Sequence, residues 1–251
     1  MRHLPQIVAH RGASGYAPET TLESYRMAIQ MEADSVEIDV HRLGSGEIVA
    51  IHDPEVSRTT NGRGRVADLN LDALQALDAG SWFNRAFPKK AKPEFAGLRV
   101  PTLQQVIELV KPSSLGFCIE IKDPELYPPD FEQSVLAIIR RNGIEERTRF
   151  LSFSSASIEK VKGLDSSLKT VLLISRRGKD PVAATLTANA DELGIRHDLA
   201  TASVVNFAHE KNLSVSVWTV DRPRDIERVI ALRVDRIITN YPDRARKIAG
   251  S

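Results

Sequence analysis

Ile7-Val-Ala-His10-Arg11-Gly12, Val36-Glu37-Ile38-Asp39-Val40 and Ile51-His52-Asp53 share one design: a short apolar run with polar chemistry in it or at its end. Between the first two lies Pro18-Glu19-Thr20-Thr21. A charge inside an apolar strand is costly unless it is paired, hydrogen-bonded or bound to a metal. Repetition of that pattern points to one site assembled at several strand ends. Glu37 and Asp39 are two apart, so on a strand they share a face, while Val36, Ile38 and Val40 share the other. Neighbouring carboxylates repel unless a cation lies between them. Such hard oxygen donors suit magnesium, calcium or manganese better than zinc. The alternative, a solvated acidic edge strand, fits poorly with the apolar flanks. His41 falls on the same face, which makes a third ligand the alternative, but just past the strand it is read as a surface residue and left out of the set.

His10 and His52 each follow an apolar run and precede turn residues, Arg11-Gly12 and Asp53-Pro54. Imidazole titrates near neutral pH, so a pair can take one proton and give another. Arg11 adds a planar fork of donors suited to phosphate oxygens.

Outward from this stretch the chain alternates. Strand-like runs lie at 7–10, 35–40, 47–51, 115–121, 149–153, 169–174, 191–196, 213–220 and 237–240. Helical periodicity marks 22–33, 103–110, 131–141, 158–164, 201–211 and 242–248. Thr20 with Glu23 reads as a capping box for the first helix, and Thr102 caps the second. Glu19 reads as a loop carboxylate favoured by the helix dipole. Strands alternating with helices imply parallel pairing, and 251 residues match a β/α barrel of about 250. The expected fold is therefore α/β: an eight-stranded parallel β/α (TIM) barrel, one domain over 1–251, with an insertion subdomain at 54–100 after the third strand-like segment.

Loops after barrel strands usually run about 2–6 residues, which makes 54–100 an outlier. It holds a turn signal at 59–64, a short helix at 71–77 with Asp68 or Asn70 as cap, and the aromatics Trp82, Phe83, Phe87 and Phe95. Following His52, it should stand over the carboxyl ends of the strands, where barrel active sites lie. Some of its aromatics should pack it down and one or two should line a pocket. In 115–121, Phe117, Ile119 and Ile121 share one face and Cys118, Glu120 and Lys122 the other. Glu120 thus reads as a third carboxylate ligand and Lys122 as a phosphate partner one step higher, with a simple salt bridge between them as the alternative. Cys118, a step deeper, reads as barrel filling.

Lys plus Arg total 34 against 33 Asp plus Glu, so no global field draws nucleic acid or an anionic membrane. One cysteine excludes an intramolecular disulfide framework. The start carries no apolar leader, and no run approaches the ~20 apolar residues of a membrane span. A cytoplasmic protein without stable membrane insertion is expected, and the basic turn 176–179 reads as a solvated loop.

The ordered set His10-Arg11-Gly12, Pro18-Glu19-Thr20-Thr21, Glu37-Ile38-Asp39 and His52-Asp53 resembles the glycerophosphodiester phosphodiesterase family. The resemblance continues through Glu120-Ile121-Lys122, Trp218-Thr219-Val220 and Ile238-Thr239-Asn240-Tyr241-Pro242-Asp243, and so covers nearly the whole chain. It implies an eight-stranded β/α barrel that hydrolyses small-molecule glycerophosphodiesters, such as glycerophosphocholine and glycerophosphoethanolamine, to glycerol 3-phosphate and an alcohol. It implies one divalent cation, Mg or Ca, and a pocket tryptophan at Trp218 that packs on glycerol. One departure is Thr20, where the family usually has Asn. The site expected from residues and resemblance together comprises catalytic His10 and His52, substrate-binding Arg11, Lys122 and Trp218, and metal ligands Glu37, Asp39 and Glu120. Rival readings are a barrel acting on lysophospholipids or other lipid phosphodiesters, and a non-catalytic module that binds glycerophosphodiesters. Which histidine is the acid, whether a cyclic phosphate forms, the headgroup preference and the oligomeric state stay open.

Overall fold

Residues 4–178 and 180–250 are described by the computed structural model. The reading of a leaderless start falls partly on residues 1–3, and the basic turn includes Lys179; both lie outside the described residues.

Each apolar run with β-branched residues becomes a strand, and each connecting segment a helix laid on the outside. The first half runs β1 (Gln6–Ala9), α1 (Leu22–Gln30), β2 (Ser35–Arg42), β3 (Ile48–Ala50), α2 (Leu71–Gln75), α3 (Ser81–Ala86), α4 (Leu103–Val110) and β4 (Gly116–Ile121). The second runs α5 (Phe131–Asn142), β5 (Thr148–Ser152), α6 (Ser155–Leu164), β6 (Lys169–Ile174), α7 (Pro181–Thr187), β7 (Glu192–Arg196), α8 (Ala202–Glu210), β8 (Ser214–Trp218), α9 (Pro223–Ala231), β9 (Arg236–Thr239) and α10 (Pro242–Ala249). β1 pairs in parallel with both β2 and β9, which closes an eight-stranded parallel ring of β1, β2 and β4 to β9. β3 lies outside that ring, antiparallel to β2. The polar turn between them is too short for the crossover that a parallel neighbour needs.

Strand alternation sorts the side chains as period two requires. Val36, Ile38, Val40, Phe117, Ile119 and Ile121 face outward and pack with Tyr25, Ala28, Leu103 and Phe131 of the surrounding helices. Val8, Cys118, Leu151, Val171, Leu173 and Ile238 face inward and fill the barrel below its mouth, with Trp218 packed against them. At about 1.5–3 kcal/mol for each large apolar side chain buried, these two layers supply most of what holds the ring closed.

The start of α1 differs from expectation. Its cap is Thr21, whose extended backbone (φ −98, ψ 157) lets the side chain accept from Ser24 N–H. Thr20 cannot serve, because its backbone is left-handed (φ 55), its N–H donates to Arg11 O and its hydroxyl donates to Glu19 O. The helix stops at Gln30 rather than near residue 33, with Glu32 again left-handed (φ 54). Thr102 does cap α4, in a capping box with Gln105, and Asn70 caps α2. α7 and α9 fill the two gaps left in the sequence pattern.

Between β3 and α4 the chain builds a small core of its own around Val49, Val56, Val66, Leu74 and Val100. Phe83 and Phe95 pack together on Ala17 of the loop after β1. No helix among the described residues is long and apolar enough to cross a membrane.

Candidate active site

Parallel register brings the carboxylates together. β2 and β4 are aligned so that Asp39 stands opposite Glu120 and Glu37 opposite Cys118. Glu37, Asp39 and Glu120 are all buried, and each offers an oxygen within 4.8 Å of the others'. Arg11 binds this group from the loop after β1. Its backbone N–H donates to Glu37 Oε2 (2.9 Å), and its Nε lies 3.0 Å from Asp39 Oδ2 at ion-pair distance, without hydrogen-bond alignment. The backbone at Arg11 and Gly12 is left-handed (φ 56 and 77), and a Cβ on residue 12 would lie 2.5 Å from Ser24, so only glycine lets the loop pass there. Lys122 Nζ reaches Glu120 Oε1 at 2.7 Å, Asp39 Oδ1 at 3.8 Å and His52 Nε2 at 3.3 Å.

The residues fit a hard divalent cation. Three buried carboxylates face two compensating cations, Arg11 and Lys122. Glu37 Oε1 and both Asp39 oxygens have no hydrogen-bond partner among the described residues, and such buried acceptors are rarely left bare. The buried Glu192 at the opposite end of the barrel also leaves Oε1 without a hydrogen bond, but it is a single carboxylate facing two cations, Arg236 (2.5 Å) and Arg149 (3.5 Å). All-oxygen donors of this kind match magnesium or calcium.

Protonation follows the same crowding. Burial, with Asp39 and Glu120 adding repulsion, pushes Glu37 well above the usual carboxylate range. Burial and Asp39 raise Glu120 to about 7 against the pull of Lys122. Burial would raise Asp39 too, but Arg11 and Lys122 outweigh it and hold it at about 2. A bound cation would relieve the repulsion that keeps these protons on.

Both histidines have one ring nitrogen committed. His10 Nδ1 lies 2.7 Å from Asn240 Oδ1, and Asp221 Oδ2 accepts from Asn240 Nδ2 (2.7 Å), which fixes the amide so that its oxygen faces the ring. Nδ1 therefore donates and Nε2 keeps a lone pair. Burial, helped by Arg11, lowers His10 to about 4, so its ring is neutral. His52 Nδ1 donates to Asp53 Oδ1 (2.6 Å), and Asp53 is held in turn by Arg58. His41 is not the surface residue expected. It is fully buried, bonds Tyr127 OH through Nδ1 and donates from Nε2 to His52 O (3.0 Å), anchoring the backbone of His52. Burial lowers its pKa as well.

Two cavities meet at His10 and Arg11. The first, about 100 Å³, is lined by His10, Arg11, Glu37, His52, Glu120 and Lys122 on its polar side, and by Leu151, Phe153, Leu173, Trp218 and Ile238 on its apolar side. Trp218 packs edge-on against Phe153 (5.5 Å between centres), and its Nε1 is buried without a partner among the described residues. The second, about 270 Å³, is lined by Glu19, Arg58, Trp82, Phe83, Phe87, Lys90 and Tyr241 beyond the shared His10 and Arg11. Glu19 accepts from Arg11 (2.9 Å) and Arg58 (2.7 Å), tying the loop after β1 to the His52–Asp53 turn. The expected site residues thus share one mouth, with Asp39 buried just behind the lining. Asn240, Asp221, Asp53 and Arg58 were not among them. Asn240 and Asp221 lie just past β9 and β8, the kind of polar strand-end position that singled out His10.

A parallel β/α barrel with titratable side chains gathered at the carboxyl ends of several strands has the layout of a barrel enzyme. Residues 10–244 match the model of the glycerophosphoryl diester phosphodiesterase family. A glycerophosphodiester phosphodiesterase of Bacillus subtilis is 35% identical over 250 residues, covering 96% of this chain and 85% of that one. A glycerophosphodiester phosphodiesterase of Caldanaerobacter subterraneus is 35% identical over 237 residues, covering 94% of each. The solved structure of an Oleispira antarctica phosphodiesterase, in complex with the product sn-glycerol-3-phosphate, superposes with a TM-score of 0.90 at 26% identity, covering 99% of this chain and 98% of the other. The chain belongs to the glycerophosphoryl diester phosphodiesterase family and is an enzyme of that class.

Proposed function

We propose that the chain hydrolyses glycerophosphodiesters, glycerophosphocholine and glycerophosphoethanolamine among them, to glycerol 3-phosphate and an alcohol, with one divalent cation held by Glu37, Asp39 and Glu120. The observation that carries this reading is the cluster of three buried carboxylates, three of whose oxygens accept no hydrogen bond among the described residues, beside two histidines that each have one ring nitrogen pinned. A bound magnesium or calcium ion would offset the phosphate charge and polarise the P–O bonds.

The chain's own residues do the rest. Arg11 and Lys122 bind the remaining phosphate oxygens and stabilise the charge that builds up in the transition state. His10 presents a neutral Nε2 fixed by the Asp221–Asn240 pair, and His52 is steadied by Asp53 from one side and His41 from the other. One takes the proton of the nucleophile, either water or the neighbouring glycerol hydroxyl whose cyclic phosphate water then opens, and the other protonates the departing alkoxide. Trp218, with the apolar wall beside it, packs against the glycerol, and its free Nε1–H can donate to a glycerol hydroxyl. Residues 54–100 act as an insertion that roofs the second cavity.

The test is release of glycerol 3-phosphate from glycerophosphocholine by metal-stripped protein, before and after magnesium or calcium is restored. Release is expected only with the cation. Full turnover in excess chelator would remove the cation from the scheme. Release of a phosphate headgroup from a lysolipid alone, or binding without turnover, would replace the reading altogether.

A further inference from the structure

The two cavities give a diester centred at His10 and Arg11 one chamber for each of its alcohols. The first has the apolar wall suited to a glycerol backbone. The second is of different chemistry. Arg58 there is shared by Glu19 and Asp53, and Arg11 by Glu19 and Asp39, so those charges are matched. Lys90 is not. Its Nζ donates to Gly15 O (2.6 Å) and Tyr241 OH (3.0 Å), and among the described residues it makes no ion pair. An ammonium has three N–H donors, so one remains for a ligand.

Aromatic walls of this kind invite choline when their faces are open, because ring faces attract quaternary ammonium groups. Here two of those rings, Phe87 and Tyr241, already have cations beside them, as does the neighbouring Tyr16. Lys90 Nζ is 5.7 Å from the centre of the Phe87 ring, 5.0 Å from Tyr241 and 6.0 Å from Tyr16. The Arg244 guanidinium lies 4.0 Å from the same Tyr241 ring. A trimethylammonium entering this chamber would meet like charge at the Phe87 and Tyr241 faces, which leaves it only the Trp82 and Phe83 side instead of a closed cage.

We infer that the second cavity receives the departing alcohol and that Lys90 sets its preference, favouring an uncharged, hydroxyl-rich alcohol such as glycerol or inositol over choline. This rests on the phosphodiesterase reading above. A hydroxyl accepts from the free Lys90 N–H, and one on the same alcohol can donate to Glu19, which lines the same cavity.

The experiment compares kcat/KM for glycerophosphoglycerol, glycerophosphoinositol and glycerophosphocholine in the cation-loaded wild type, Lys90→Gln and Lys90→Arg. The wild type should favour the uncharged headgroups by about tenfold or more. Lys90→Gln should move the ratio about tenfold toward choline, the scale of one partly screened charge, and Lys90→Arg should hold the wild-type order. A wild type that handles glycerophosphocholine as well as the polyol diesters would overturn the inference whatever the variants do, and so would an unmoved ratio in Lys90→Gln. Failure of every diester to yield glycerol 3-phosphate would sink the hydrolase reading, and this inference with it; turnover with the opposite preference sinks this inference alone.

Discussion

His10 and His52 show how what holds a side chain sets the state in which it meets the cavity. Asp221 fixes the Asn240 amide, the amide fixes the His10 tautomer, and the lone pair at Nε2 is what remains for chemistry. Replacing either histidine by alanine should lower turnover by roughly 10²–10⁴-fold, the usual size of a general acid or base contribution. Phosphate and metal contacts should survive, so KM should move much less. A nitrophenyl leaving group needs no proton, so it should rescue the variant of the acid and not that of the base. Rescue of neither, with normal binding, would return both residues to a structural role. Both histidines were legible in the sequence because each follows an apolar run. The partners of His10 were marked only by their own strand-end positions: Asn240 and Asp221 stand some two hundred residues away, and nothing in the sequence pairs them with His10 before the barrel closes. His41 was misjudged for a related reason, since its burial depends on Tyr127 and on the His52 backbone.

At the scale of elements, period-two alternation was the reliable signal, because one register error would turn every inward side chain outward. Cap assignment was weaker. Thr20 and Thr21 carry the same hydroxyl, and only the left-handed backbone at Thr20 hands the cap to its neighbour. α7 was hidden by composition, with only Val182 and Thr185 buried in a run of small and β-branched residues. In the segment between β3 and α4, Trp82, Phe83 and Phe87 all line the second cavity, while Phe83 and Phe95 also pack the segment down, and the two roles can be tested. Phe83 is 1% exposed and packs with Phe95 and Ala17, while Phe87 is 44% exposed over the second cavity. Phe83→Ala should cost about 3–5 kcal/mol. Phe87→Ala should change stability by well under 1 kcal/mol, while altering discrimination among leaving alcohols. Denaturant unfolding of both variants, beside headgroup ratios for the second, separates packing from recognition. Equal destabilisation by the two substitutions would mean that Phe87 belongs to the core.

At the scale of the whole molecule, the barrel is a device for holding groups together that would otherwise move apart. β2 and β4 carry Glu37, Asp39 and Glu120, the loop after β1 carries Arg11, and ring closure by β1 against β9 brings Asn240 to His10. Without a cation, three buried carboxylates share two compensating charges, so part of the folding free energy is spent on their repulsion. A ligand that binds only the native state stabilises it by RT ln(1 + [L]/Kd), about 2.7 kcal/mol at a hundredfold excess over Kd. For a chain somewhat above 200 residues, each kcal/mol moves Tm by about 2–4 °C, so saturating magnesium or calcium should raise Tm by roughly 5–10 °C over the metal-stripped protein. Glu37→Gln relieves the crowding directly. That variant should melt at or above the temperature of metal-free wild type, lose most of the cation-induced shift, and be nearly inactive, as expected where a functional site is held at the expense of stability. Calorimetry with and without chelator reads the first two, and release of glycerol 3-phosphate reads the third. If wild-type Tm ignored the cation, or Glu37→Gln kept the full shift, Arg11 and Lys122 alone would be compensating the cluster, and the carboxylates would belong to an internal ion-pair network instead of a metal site.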